Sequence, residues 1–144
     1  MTPTIIDCKC HFCSKPIRLD CGPHTHGIFD LTKWAKAMIC DRCGEWRRAS
    51  QRLEAVIVVE CLNVASVRAT TRDRDAVSKV EVRAEENLIA LTKRYLKIQC
   101  DYFHLEQPWD AEFVNTLMDN PRSVSKVLAT CRRGLAKASG AQKP

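Results

Sequence analysis

Apolar residues recur at helical spacing through the middle of the chain. Val77, Val80, Ala84, Leu88, Leu91, Tyr95, Ile98, Tyr102 and Leu105 follow one another at steps of three and four. That spacing draws one apolar stripe along an α-helix. Asp73, Arg74, Lys79, Arg83, Glu85, Glu86, Lys93, Arg94 and Lys97 fill the other faces. Upstream, Trp46, Ala49, Leu53, Val56, Ile57, Cys61, Val64 and Val67 also fit a helix. The run Val56–Val59 is wholly β-branched and would suit a strand. No turn signal brackets it, so the pattern predicts helix there too.

The breakers agree. Glu45 to Gln107 is a stretch of 63 residues without Gly or Pro, which favours long helices. The apolar pattern lapses only between Ala69 and Asp75. Two antiparallel helices are therefore expected, roughly 44–69 and 73–106, with Thr71 or Asp73 capping the second. A third short helix is predicted to begin near Trp109. A fourth is predicted to take Asn120 as N-cap and Pro121 as its first residue, and to run to about Lys137. A helix of about 32 residues is about 48 Å long, against roughly 37 Å for the diameter of a compact chain this size. That length favours an interaction module over a compact enzyme.

Two Cys-x-x-Cys pairs precede the helices: Cys10-His11-Phe12-Cys13 and Cys40-Asp41-Arg42-Cys43. Together they supply the four thiolates of a closed tetrahedral zinc site. The second pair sits where the first long helix is expected to start, and a helix N-terminus favours negative charge. A knuckle, a hairpin and then two ligands on a helix start resemble the treble-clef and zinc-ribbon class of modules, over residues 8–46. That class spans nucleic-acid binders, adaptors and scaffolds, so the resemblance implies a fold and a zinc, and no single function. A [4Fe–4S] cluster is the alternative occupant. Cys61, Cys100 and Cys131 fall in helical segments and are expected to be small core residues.

The expected fold is mainly α: a four-cysteine zinc module at 1–46, then a helical domain at 47–144. Within that domain a long hairpin spans about 47–106 and short helices about 109–137, packed as one unit.

Further donors crowd near the first knuckle. Cys8, Cys21, His24 and His26 are a candidate second zinc set. A catalytic zinc keeps an open position, and no general-base carboxylate stands beside this cluster. The His-x-Glu with Pro-Cys-x-x-Cys pattern of zinc deaminases is absent. Nucleases of the ββα-metal type require a later histidine, and beyond His26 the chain has only His104. It has no Walker A motif, dinucleotide-binding glycine string or nucleophile elbow. The expectation is a protein that is not an enzyme.

Composition narrows the class. Hydrophobic residues make up 45% of the 144 and charged residues 28%, enough for a packed core and too balanced for wholesale disorder. The longest apolar run, Ala55–Val59, has five residues, where a membrane span needs about 20. Residues 1–7 lack the basic and apolar regions of a secretory signal. Nine cysteines in such a chain point to metal rather than disulfides, and to a cytoplasmic location.

The net charge of +6 is uneven. Residues 121–144 hold six Lys/Arg and no acid. Lys33, Lys36, Arg42, Arg47, Arg48 and Arg52 surround the second Cys pair, with Trp34 and Trp46 among them. Arg122, Lys126, Arg132 and Arg133 form a second basic group on the last helix. Cations beside aromatics suit phosphates and stacked bases, although both tryptophans also serve as cover for a zinc. The leading expectation is a zinc protein that binds nucleic acid or a nucleic-acid-handling protein complex. The alternative is a protein-binding inhibitor or adaptor of the phage or mobile-element accessory type, for example one that blocks a host defence nuclease. It would act, or dimerise, through its long helices.

Overall fold

The computed structural model describes residues 5–20 and 37–140. The chain's contacts fall into two compact units, with the boundary between Arg47 and Arg48.

The first unit contains a two-stranded antiparallel hairpin, β1 (Ile5–Lys9) and β2 (Pro16–Asp20). Asp7 stands opposite Arg18 and Cys8 opposite Ile17. Pro16 opens β2 opposite Lys9 at the end of the ladder, where its missing N–H breaks no pairing. Cys10-His11-Phe12-Cys13 is the turn of this hairpin. The sequence had put a hairpin between the two Cys pairs. Among the described residues the strands flank the first pair, because a knuckle reverses the chain and brings its two arms into register. Residues 21–36, which carry Cys21, His24, His26, Lys33, Trp34 and Lys36, lie outside the described residues.

Four helices follow among the described residues: α1 (Asp41–Thr70), α2 (Arg74–Phe103), α3 (Ala111–Asp119) and α4 (Val124–Ala138). The β-branched run Val56–Val59 is helical, as its spacing predicted. Ile57 of this run is buried along one face with Leu53, Cys61 and Val64, and that packing outweighs local β preference. Helix α1 ends with the Thr70 hydroxyl donating to the Ser66 carbonyl at 2.8 Å. Asp73 then caps α2, its carboxylate accepting from the N–H groups of Asp75 and Ala76. With only three residues between them, the long helices are antiparallel neighbours.

Side-chain bonds along the seam of α1 and α2 confirm that direction. Arg68 meets Glu81, Glu60 meets Asn87 and Ser50 meets Gln99. One numbering rises as the other falls. Each helix of 30 residues spans about 45 Å. Helix α2 closes at His104, which takes the left-handed conformation at φ 55° and ψ 46°. The core of this second unit joins Leu53, Ile57 and Cys61 of α1 to Leu88 and Tyr95 of α2. Val114 and Leu117 of α3 and Val124 and Leu128 of α4 complete it. Each aliphatic side chain buried this way contributes about 1.5–3 kcal/mol.

The last helix starts later than its sequence signals suggested. Asn120 is not an N-cap. Its N–H bonds the Thr116 carbonyl and so closes α3, while its own carbonyl accepts from Ser123 N–H at 3.0 Å. Pro121 falls in that turn, and α4 begins at Val124, whose side chain is 1% exposed. Burial of Val124 beside Leu128 sets the first turn and overrides the local Asn-Pro signal.

Candidate metal centre

The sulfurs of Cys10, Cys13, Cys40 and Cys43 all lie within 4.8 Å of one another. Two structural elements bring them together. Cys10 and Cys13 project from the hairpin turn, which two backbone bonds close: Cys10 N–H to the Lys15 carbonyl at 2.8 Å and Ser14 N–H to the Cys10 carbonyl at 3.0 Å. Ser14 takes the left-handed conformation, φ 63°, to complete the reversal. Cys40 and Cys43 straddle the start of α1, whose first bond runs from Gly44 N–H to the Cys40 carbonyl at 2.8 Å. A bond from His11 N–H to the Met38 carbonyl, 2.8 Å, ties the two halves.

The spacing suits a metal. Four thiolates about 2.3 Å from one ion stand about 3.8 Å apart along each tetrahedral edge. Cys13 Sγ and Cys40 Sγ are 3.6 Å apart, close to that edge and far beyond the roughly 2.05 Å of a disulfide. Cys10 and Cys43 are buried at 2% and 0% exposure. Backbone N–H groups of Phe12 and Cys40 point at Cys10 Sγ at 3.4 and 3.3 Å. Burial pushes the Cys10 thiol up. The backbone amides of Cys13, Cys40 and Phe12 and the Cys13 side chain more than offset that, bringing it from 9.0 down to about 6. The thiolate form is what a metal needs. Four thiols are thus placed to hold a metal ion.

Aromatic and basic side chains flank the centre. The Phe12 ring meets Trp46 edge-on at 6.0 Å, and the Arg47 guanidinium lies 5.7 Å from the Phe12 centroid. Trp46 therefore packs on the knuckle, as a cover for the thiols would. Cys8 sits on β1, half-buried, and is not among the four clustered sulfurs. Its proposed companions Cys21, His24 and His26 lie outside the described residues. Cys61 and Cys100 are buried core residues at 1% and 8% exposure, and Cys131 is half-buried.

The basic residues separate into different settings. Arg42 and Arg47 are exposed in the first unit; Arg48 and Arg52 are exposed on α1 in the second. Arg122, Lys126 and Arg133 are exposed around α4. Lys137, one turn beyond Arg133, extends that face and was not singled out from the sequence as a binding residue. Arg132 differs: its guanidinium reaches inward to Glu54 at 3.3 Å. Burial raises the Glu54 carboxyl, and Arg132 opposes the shift. Burial also pushes the neighbouring Tyr95 phenol up, and Glu54 adds to it. Glu54, Tyr95 and Arg132 make a polar cluster shared by α1, α2 and α4, with no periodic signal in the sequence to announce it.

Sequence reasoning also missed the outward face of α1. Val56, Val59 and Leu62 are exposed at 49%, 65% and 47%. At about 100° per residue, Val56 stands about 100° from Ile57 and Val59 about 160° from it on the same side, so both fall away from the buried line. No helix among the described residues is long and apolar enough to cross a membrane. No protein-family model, curated protein or solved structure matches the chain.

Proposed function

We propose that this is a zinc protein that acts by binding another protein, as an adaptor or inhibitor, and carries out no chemistry of its own. Zinc is the preferred occupant because four thiolates make the closed structural set that leaves no position open for a substrate. The ion's role is to fold a first unit whose own apolar content is small. Cys10, Cys13, Cys40 and Cys43 would hold it.

One observation carries the binding reading. Arg48 and Arg52 lie along the same outward side of α1 as Val56, Val59 and Leu62. Aliphatic side chains in contiguous exposure mark protein contact, whereas contacts to phosphate come from Arg, Lys and other polar groups. This favours the protein-binding alternative over the nucleic-acid reading for that surface. The test is photo-crosslinking from a residue in place of Val59 in a native lysate. Protein adducts that vanish with a Leu62→Asp substitution support the reading, and their absence removes it.

A second reading rests on α4. Lys126, Arg133 and Lys137 share one exposed side of that helix, and residues 121–140 contain no acid. An acid-free basic face suits a polyanion. An oligonucleotide titration at two salt concentrations separates this reading from the first.

A further inference from the structure

We infer that Cys13 is a modification site for a hydroperoxide: its thiolate is oxidised first, Cys40 closes on it as a Cys13–Cys40 disulfide, and the site gives up its ion. The inference rests on the zinc reading of the four-cysteine set and goes beyond it by assigning the four sulfurs unequal roles.

Two of the sulfurs are sealed and two are not. Cys10 and Cys43 are buried at 2% and 0% exposure. Cys10 Sγ also accepts the N–H groups of Phe12 and Cys40 at 3.4 and 3.3 Å, which occupy lone pairs that an electrophile would need. Cys13 is exposed and Cys40 half-buried. Oxidation of a thiolate follows its accessibility, and a site becomes reversible where a second thiol stands ready to resolve the product. Cys13 Sγ has Cys40 Sγ 3.6 Å away. The accessible member of the set and its resolving partner are therefore neighbours, one on the hairpin turn and the other at the start of α1.

The chemistry balances in two displacements. Cys13 Sγ attacks one oxygen of hydrogen peroxide. An S–O bond forms, the O–O bond breaks, and the departing hydroxide takes a proton to become water. Cys40 Sγ then attacks the Cys13 sulfur. The S–S bond forms, the S–O bond breaks, and a second hydroxide leaves and is protonated. Two thiolates have lost two electrons, and the peroxide has become two waters. The sulfurs must close from 3.6 Å to about 2.05 Å. The bond from His11 N–H to the Met38 carbonyl, 2.8 Å, holds the two arms together meanwhile. A site left with two of its four thiolates no longer completes the tetrahedron and releases its ion. Exchange with a dithiol restores the thiolates.

The experiment treats the full zinc-loaded chain with hydrogen peroxide and follows released zinc with a chromophoric chelator. Remaining thiols are then blocked with N-ethylmaleimide, and tryptic peptides are mapped without reduction. Cleavage puts Cys10 and Cys13 together in residues 10–18, Cys40 in 37–42 and Cys43 in 43–47. The expected product is 10–18 joined to 37–42, with fragmentation placing the bond on Cys13 and the blocking group on Cys10. Zinc should appear in step with that product, and a dithiol with added zinc should reverse both. Cys13→His keeps a four-ligand set of an established structural type and removes the reactive sulfur, so it should slow zinc release at least about tenfold. The map of the native chain decides by itself should that variant fail to hold zinc. A bond within 10–18, a bond between 37–42 and 43–47, or a Cys13→His protein that releases zinc as fast as the native chain overturns the inference. A loaded chain that keeps its zinc through the treatment overturns it too, while leaving the zinc reading intact. An untreated chain that holds no zinc removes that reading and this inference together.

Discussion

Gln99 Nε2 donates to Ser50 Oγ at 2.7 Å, and both side chains are buried although 49 positions separate them. This bond ties the early turns of α1 to the late turns of α2. At the far end of the seam Arg68 pairs with Glu81 through Nη2 and Nε, and its Nη1 reaches the Met118 carbonyl at 2.6 Å. Apolar stripes alone would tolerate a slip of one helix past the other. Two buried polar groups bonded across the seam do not, because a slip breaks their bond in the interior.

Ser50→Ala should therefore destabilise the helical unit by about 1–3 kcal/mol, the cost of taking this acceptor from a buried amide. Urea denaturation followed at 222 nm measures it. A shift within experimental error would mean that the Gln99 amide finds another acceptor and that the register is set by packing alone.

The metal centre makes a sharper prediction. Purified protein should carry about one zinc per chain held by the four clustered sulfurs, with a second equivalent only if Cys8, Cys21, His24 and His26 also bind. Cys40→Ser should release the ion and abolish the amide dispersion of residues 5–20 in NMR spectra. The core built from Leu88, Leu117 and Leu128 should stay folded. Retention of zinc at full stoichiometry in that variant would remove the four-cysteine assignment.

Glu54 gives a pH dependence with a definite sign. Burial holds its folded-state pKa above the ordinary 4.5, so just above that value the folded chain keeps a proton that the unfolded chain has released. Stability then falls as pH rises through this window. Thermal melts from pH 4 upward should show that slope in the native chain, and Glu54→Gln should flatten it. Parallel slopes in both proteins would dissociate the carboxyl from the pH response.

If α4 contacts phosphate, binding to duplex should weaken with salt at a slope of about −0.9 for each phosphate neutralised. Reversing Lys126 and Arg133 to Glu should reduce that slope by roughly two units. Arg132→Ala should instead act on stability, since its guanidinium faces Glu54. An oligonucleotide that fails to bind even at low salt leaves the outward face of α1 as the working surface.

The linear chain was enough to establish the helices and the four clustered cysteines, and it narrowed the cap of the second long helix to Thr71 or Asp73. Each is written in short-range spacing: steps of three and four for a helix, a carboxylate before an apolar run for a cap, two residues between paired thiols for a knuckle. The strand pair around the first knuckle was not legible, because Ile5–Lys9 and Pro16–Asp20 are strands only by virtue of pairing across it. The start of α4 was misplaced for a related reason, since the burial of Val124 outweighs the Asn-Pro signal before it. Helical spacing already sets Arg132 about 100° from Arg133; only the tertiary structure showed that Arg132 turns to Glu54 while Arg133 is exposed. Periodicity likewise could not say which side of an α1 helix with apolar residues all round would be covered. That choice fell to the neighbours, which meet Leu53, Ile57 and Cys61 and leave Val56, Val59 and Leu62 exposed, because a helix can present only one side to a single-layer core.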